Sequence, residues 1–215
     1  VLPSIIEHPQ TQVAVVGDTV NIRVKTIGTE PFMFRWRKNG VNITVPPSTP
    51  FSVYSITNVG TNHAGNYSVI ITNAATTSGI LSSNAVLTVL IDTDGDHVPD
   101  EWEFAYNFST NNAGDATIDT DGDTMTNLEE YIAGTDPRDE QSYLKVDTIS
   151  VAGSAALSFL ARSNKTYTIQ FNSELSSSGW LNFTNALSRP TNRVEIIVDP
   201  ASTAGRVYRL LTPGL

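Results

Sequence analysis

Phe32-Met33-Phe34-Arg35-Trp36-Arg37-Lys38-Asn39-Gly40 is the stretch on which the fold turns. Phe32, Phe34 and Trp36 recur at every second residue, the period at which a strand sends successive side chains to one face. The same alternation flanks it: Val20, Ile22 and Val24 before, then Tyr67, Val69 and Ile71, and then Ala85, Leu87 and Val89. Short strands at this spacing, separated by turn residues, predict a β-sandwich over residues 1–90.

Beyond Leu90 the pattern breaks. Residues 91–140 contain Asp-Thr-Asp-Gly-Asp twice, at Asp92–Asp96 and Asp119–Asp123, each followed by a helix-like run, Pro99 to Phe108 and Asn127 to Ala133. Pro99 suits a first helical turn, and Gly134-Thr135-Asp136-Pro137 reads as a helix stop. From residue 143 the alternation returns, as in Tyr167, Ile169 and Phe171 and in Val194, Ile196 and Val198. The expected chain is mainly β: a domain over 1–90, a connector with two short helices over 91–140, and a β-sandwich over 141–215. At 215 residues, 40% of them hydrophobic, it is long enough to bury a core.

The formal charge of -9 is unevenly placed. Between Ile91 and Glu140 stand 15 acidic residues and one basic residue, Arg138, so the segment carries -14 and the rest of the chain +5. Such a run repels itself unless a cation neutralises it. A disordered linker is the alternative, and it is opposed by Trp102 with Tyr106 and Leu128 with Tyr131 at helical spacing. Trp102 and Tyr131 are expected to form the connector's small core. With no cysteine, disulfides and thiolate chemistry are excluded. No basic patch interleaved with aromatics points to nucleic acid, and no apolar run approaches the roughly 20 residues that span a bilayer. A chain that opens on Val1 reads as a mature or excised piece.

Gly17-Asp18-Thr19-Val20-Asn21-Ile22, the Trp36 stretch and His63-Ala64-Gly65-Asn66-Tyr67-Ser68-Val69 together resemble an immunoglobulin-like domain over residues 3–90. The resemblance implies a buried Trp36, a corner formed by Tyr67, and Val24 and Val69 where such domains carry paired cysteines. That core would hold by apolar packing alone. His63 stands where the family usually has Asp, and is expected to serve the turn.

Numbered from its first aspartate, each acidic loop places oxygen ligands at positions 1, 3, 5, 9 and 12 and a backbone carbonyl at 7, the spacing of an EF-hand loop. Calcium, a hard cation that takes six to eight oxygens, fits this spacing better than magnesium, which keeps a tight octahedral shell of waters. The first loop offers Asp92, Asp94, Asp96, the carbonyl of Val98, Asp100 directly or through water, and a bidentate Glu103. The second offers Asp119, Asp121, Asp123, Met125, Asn127 and Glu130. About two calcium ions are expected, one per loop. Asp136 or Asp139 could complete a neighbouring shell. The EF-hand glycine of position 6 is replaced by His97 and Thr124, while Gly95 and Gly122 stand at position 4, so the turn is expected to be made differently. This variant resembles thrombospondin type 3 repeats and the dockerin-like connectors of secreted bacterial proteins.

The last domain resembles, less specifically, the C-terminal domains that follow such connectors in secreted bacterial surface proteins, through Lys165-Thr166-Tyr167-Thr168-Ile169-Gln170, Gly179-Trp180 and Val207-Tyr208-Arg209-Leu210. Trp180 reads as a core or edge aromatic or as a sugar-stacking platform. No catalytic constellation stands out: three histidines, no cysteine, no metalloprotease motif and no nucleophile elbow. Sequons occur at Asn42, Asn66, Asn107, Asn164 and Asn182, candidate glycan sites if the chain is exported by an organism that glycosylates asparagine. The expected function is an extracellular or cell-surface structural or adhesive protein with a calcium-stiffened connector. One form of it is a subunit that repeats into a fibre, with residues 1–8 donated to a neighbour's sheet edge. Its partners would be itself or other surface proteins and glycans. The alternative is a carbohydrate-binding accessory module of a larger secreted enzyme.

Overall fold

A computed structural model describes residues 1–43, 52–151, 154–174, 179–200 and 205–213. Thr44, which completes the sequon of Asn42, lies outside the described residues. The chain is mainly β and divides into two compact units, Val1–Ala113 and Gly114–Leu215. The acidic segment is therefore shared out, its first loop belonging to the first unit and its second to the second.

Among the described residues, ten strands build the first unit: β1 (Ser4–Glu7), β2 (Gln12–Val15), β3 (Val20–Arg23), β4 (Lys25–Ile27), β5 (Met33–Lys38), β6 (Val41–Asn42), β7 (Val53–Ile56), β8 (Gly65–Asn73), β9 (Thr76–Leu81) and β10 (Ala85–Leu90). One sheet runs β2-β10-β8-β5-β6, with β9 also paired to β8, and β3 pairs with β7. The alternation does what period two demands: Val20, Ile22, Trp36, Tyr67, Val69, Ile71 and Leu87 all enter one core. Met33, between Phe32 and Phe34, faces out at 72% exposure. Tyr67 donates its hydroxyl to the His63 carbonyl at 2.6 Å, which forms the expected corner, and His63 Nδ1 accepts from the Gly60 N–H. Burial, with the nearby Tyr54 adding to it, pushes the Tyr67 phenol up to about 12. Val24 and Val69 both lie in this core. Two buried valines each contribute about 1.5–3 kcal/mol, the scale of the disulfide that the resemblance would place there, typically about 2–4 kcal/mol. Strand β1 pairs with β4 of its own domain, Ser4 opposite Ile27, so residues 1–8 are not a free strand for donation.

Helix α1 (Asp100–Ala105) closes the first unit. It is shorter than the predicted run, and Pro99 is its N-cap, so the proline starts the helix from just outside it. Trp102 packs on Tyr106 and Phe108, with ring centroids 4.7 and 5.6 Å apart.

The second unit opens with a 3-10 turn at Asp115–Thr117 and helix α2 (Asn127–Ala133), whose bounds match the prediction. Gly134, at φ +77°, ends the helix in the left-handed conformation that a glycine adopts without strain. Thr126 and Glu129 form a reciprocal capping box at its start. Tyr131 belongs here, with Lys165 Nζ 4.9 Å from its ring centroid. Trp102 and Tyr131, expected together in the connector's small core, belong to different units, Trp102 to the first and Tyr131 to the second.

Among the described residues two three-stranded sheets follow, built from β11 (Thr148–Val151), β12 (Ala155–Ala161), β13 (Tyr167–Asn172), β14 (Leu181–Ala186), β15 (Arg193–Asp199) and β16 (Val207–Leu211), in the orders β11-β12-β15 and β14-β13-β16. Phe159, Ala161, Tyr167, Ile169 and Ala186 form a core drawn from both sheets. In β15 the alternation holds with its phase reversed. Val194, Ile196 and Val198 face out, while Arg193, Glu195 and Asp199 turn inward. The inward charges are paired: Arg193 Nε with Glu195 at 2.5 Å, and the fully buried Asp199 with Arg206 and the Tyr208 hydroxyl.

Candidate metal centres in the acidic loops

The two loops share most of their hydrogen bonds. At position 1, Asp92 accepts from the N–H groups of Gly95 and His97 at 2.7 and 3.0 Å, and Asp119 accepts from those of Gly122 and Thr124 at 2.7 and 2.9 Å. At position 5, Asp96 and Asp123 each accept from the N–H two residues on, at 2.8 Å. The N–H of position 9 returns to the carbonyl just before the loop, Asp100 to Ile91 and Asn127 to Ile118, both at 2.9 Å. These bonds curl the chain so that its carboxylates face one another.

The expectation that the turn is made differently needs correcting. Position 6 keeps the left-handed backbone of an EF-hand loop, with His97 at φ +73° and Thr124 at +83°, although neither is glycine. Gly95 and Gly122 add a second left-handed residue at position 4, at +81° and +88°. A Cβ there would meet nothing within 4 Å, so it is the dihedral and not space that asks for glycine.

The carboxylate oxygens of Asp92, Asp94 and Asp96 lie within 4.8 Å of one another, as do those of Asp119, Asp121 and Asp123, and Asp96 approaches Glu103 equally closely. Glu103 and Glu130, at position 12, are 1% and 0% exposed. Of the position 7 residues, Val98 turns its side chain into the interior, and Met125 is half-buried with its sulfur accepting from the Leu144 N–H at 3.4 Å. At position 9 the side chains are held by the loop itself. Both oxygens of Asp100 accept from Thr93, and Asn127 Oδ1 accepts from Thr120 while its Nδ2 donates to the Asp115 carbonyl.

Several inward oxygens are buried without a hydrogen bond: both of Asp94 and one each of Asp121 and Asp123. Burial above all pushes the Glu130 carboxyl up to about 7, with the charges of Asp121, Asp123 and Asp136 adding to it and the Thr135 hydroxyl opposing. Asp136 is thus near enough to be felt in the second loop, whereas Asp139 closes a local turn through the Gln141 N–H. Uncompensated buried carboxylates cost several kcal/mol each, and a cation ringed by oxygen removes that cost. The donor set is all oxygen and fits calcium.

Sequence reasoning missed Thr93 and Thr120. The signal was their repetition at position 2 of both loops. It also missed the capping box, for which Thr126-Asn127-Leu128-Glu129 carries the usual pattern of a hydroxyl residue followed three later by glutamate.

Trp180 is half-buried, with the Arg209 guanidinium 4.4 Å from its ring centroid, so one use of that ring is internal. Asn42, Asn66, Asn107, Asn164 and Asn182 are all exposed. Among the described residues no helix is long and apolar enough to cross a membrane.

An immunoglobulin-domain family model matches residues 3–73. Among solved structures the chain is similar to the tandem Ig repeats of Dlar, at 27% identity over 41% of this chain and 48% of that one, with a TM-score of 0.38. It is also similar to the N-terminal Ig1-2 module of the Drosophila receptor protein tyrosine phosphatase DLAR, at 25% identity over 46% of this chain and 52% of that one, with a TM-score of 0.37. Domain D1 of Duf (Kirre) matches at 21% identity over 41% of this chain and 97% of its own, with a TM-score of 0.35. The chain spans about half the length of the first of these, 48%. No curated protein matches. With Trp36 buried and the Tyr67 corner formed, the family match makes the N-terminal domain immunoglobulin-like, a fold typical of structural, adhesive and binding modules.

Proposed function

We propose that this chain is an extracellular or cell-surface structural or adhesive protein, without catalytic activity, whose two acidic loops each take up one calcium ion. The observation that carries the reading is Glu130. It is fully buried, with only the Thr135 hydroxyl to oppose the cost of that burial, and it stands among Asp121, Asp123 and Asp136. A protein that had no cation to receive would gain stability by replacing that carboxylate with an amide.

In the first loop Asp92, Asp94, Asp96 and Glu103, with the Val98 carbonyl, would hold the ion. In the second, Asp119, Asp121, Asp123 and Glu130 would do so with the Met125 carbonyl. The bound ion supplies positive charge and a fixed oxygen shell. The residues of the chain convert that into stiffness. Each loop starts beside a strand or turn of its own unit and ends on a helix. In the first unit His97 Nδ1 lies 3.7 Å from Asp18, and in the second Lys165 donates to the Tyr131 carbonyl at 2.6 Å, fastening α2 to the sandwich. Two β domains joined by such a segment suit an adhesive module, and the exposed sequons suit a surface glycoprotein. Repetition into a fibre remains one form of this reading.

The test is calcium titration by calorimetry with sedimentation velocity on the same samples. Two ions bound per chain, with a more compact species than in chelator, is the expected result. No heat above dilution, or binding that survives both Glu103→Gln and Glu130→Gln, would sink the proposal. Filaments that form in calcium and dissolve in chelator, seen by electron microscopy, would establish the fibre form, and a strictly monomeric species in calcium would remove it.

A further inference from the structure

We infer that the threonine at position 2 of each loop, Thr93 and Thr120, is a positioning residue: it clamps the loop to the first turn of its helix and keeps the position 9 side chain out of the ion's shell. The inference rests on the calcium reading above and goes beyond the ligand spacing, which counts position 9 among the oxygen donors.

Three observations carry it. Thr93 donates twice to Asp100, from its N–H to Oδ1 at 2.8 Å and from Oγ1 to Oδ2 at 2.6 Å, so both carboxylate oxygens already accept. Asp100 also stands outside the groups of carboxylates whose oxygens approach within 4.8 Å of one another. In the second loop the same hydroxyl contact recurs with a different chemical partner. Thr120 Oγ1 donates to Asn127 Oδ1 at 2.9 Å, and the Asn127 amide donates onward to the Asp115 carbonyl at 2.8 Å, with Asn127 itself buried. A carboxylate and a neutral amide each offer an oxygen that accepts a threonine hydroxyl, the carboxylate the more strongly. Their interchange at position 9 is what a latch tolerates.

The latch joins the second residue of the loop to the first residue of the helix, across the stretch that holds positions 3 and 5. Releasing it loosens the aspartates that face the ion without removing any of them. Groups that orient metal ligands in this way are typically worth about 10- to 100-fold in affinity.

The experiment uses the full chain, with Thr93→Val, Thr93→Ser, Asp100→Ala and the double variant Thr93→Val/Asp100→Ala, each titrated with calcium and each also loaded with terbium. Terbium luminescence lifetimes in light and heavy water count the waters on the ion. The expected result is that Thr93→Val and Asp100→Ala each weaken one site about tenfold, that the double variant is no weaker than Asp100→Ala alone, that Thr93→Ser restores binding, and that the water count is unchanged. Additive losses, or a gain of bound water in Asp100→Ala, would make Asp100 a direct ligand and overturn the inference. So would a Thr93→Val affinity within about twofold of the parent. Failure of the parent chain to bind calcium would instead strike the reading beneath, and it would show before any variant is made. Should Thr93→Val lose its folded circular dichroism in chelator, Thr120→Val and Thr120→Ser repeat the comparison in the second unit.

Discussion

The two acidic loops share one backbone and one ligand spacing, yet they are supported differently. The first leads into a helix that starts at Pro99 with no side-chain cap, and its last turn carries no basic residue. The second leads into a helix with the Thr126–Glu129 capping box at one end, and at the other Gly134 and the Lys165 ammonium on the Tyr131 carbonyl. A capping residue is worth about 1 kcal/mol, and a cation at a helix C-terminus about 0.3–1 kcal/mol more. The second helix therefore stands on its own chemistry, while the first leans on its loop and on the stack of Trp102 with Tyr106 and Phe108. An ion bound in the first loop has more local order to create.

The largest effects should come from the closing glutamates. Glu103→Gln and Glu130→Gln should each remove one ion from the calorimetric stoichiometry, weakening the affected site at least about 100-fold. If the comparison holds, Glu103→Gln also unravels α1, seen as a red shift of tryptophan emission from Trp102, while Glu130→Gln leaves the helical signal of α2 intact. Equal losses of helix in both variants would break it.

A second effect has opposite signs with and without calcium. Glu130 keeps an unrelieved carboxylate in the interior, so without calcium Glu130→Gln should raise the unfolding free energy by about 1–3 kcal/mol. The same source makes calcium-free stability depend on pH. Because the folded-state carboxyl is pushed up to about 7, the folded chain holds this proton more tightly than the unfolded chain does. Its stabilising contribution is complete below the ordinary glutamate range and is lost as pH rises towards about 7. Denaturant titrations of calcium-free protein between those limits should therefore show a falling stability that Glu130→Gln abolishes.

How much of this was legible in the sequence differs between the strands and the loops. Period-two alternation located the core of the immunoglobulin-like domain because Trp36, Tyr67 and Val69 report burial directly through their positions. It left the phase open at β15, where Val194, Ile196 and Val198 keep the period and face out, since period alone says nothing about phase. On the inward face Ile197 packs on the core and Glu195 and Asp199 pair with Arg193 and Arg206, contacts visible only in three dimensions. In the loops the ligand spacing could be read because each carboxylate is named by type and position. Thr93 and Thr120 were overlooked because a hydroxyl has no charge to mark it, and its role lies in what it holds. The reading of His97 and Thr124 failed for a related cause. A missing glycine was taken as a missing conformation, whereas the paired bonds to Asp92 and Asp119 hold both residues at positive φ.

Smaller effects test the unequal support directly. Thr126→Ala removes the capping hydroxyl and should cost about 1 kcal/mol in thermal or denaturant unfolding of the second unit. An unchanged transition would mean that Lys165 and Gly134 hold α2 by themselves. The smallest difference lies at position 6. A β-branched residue in the left-handed region is more strained than a histidine there, so Thr124→Gly should stabilise the calcium-free chain by about 0.5–1 kcal/mol, and His97→Gly by less, once the added freedom of the unfolded glycine is set against the relief. If His97→Gly were the more stabilising of the two, the strain would be concentrated in the loop whose helix has the weaker caps. The first loop would then be held bent mainly by Asp92, and calcium would be relieving strain there as well as charge.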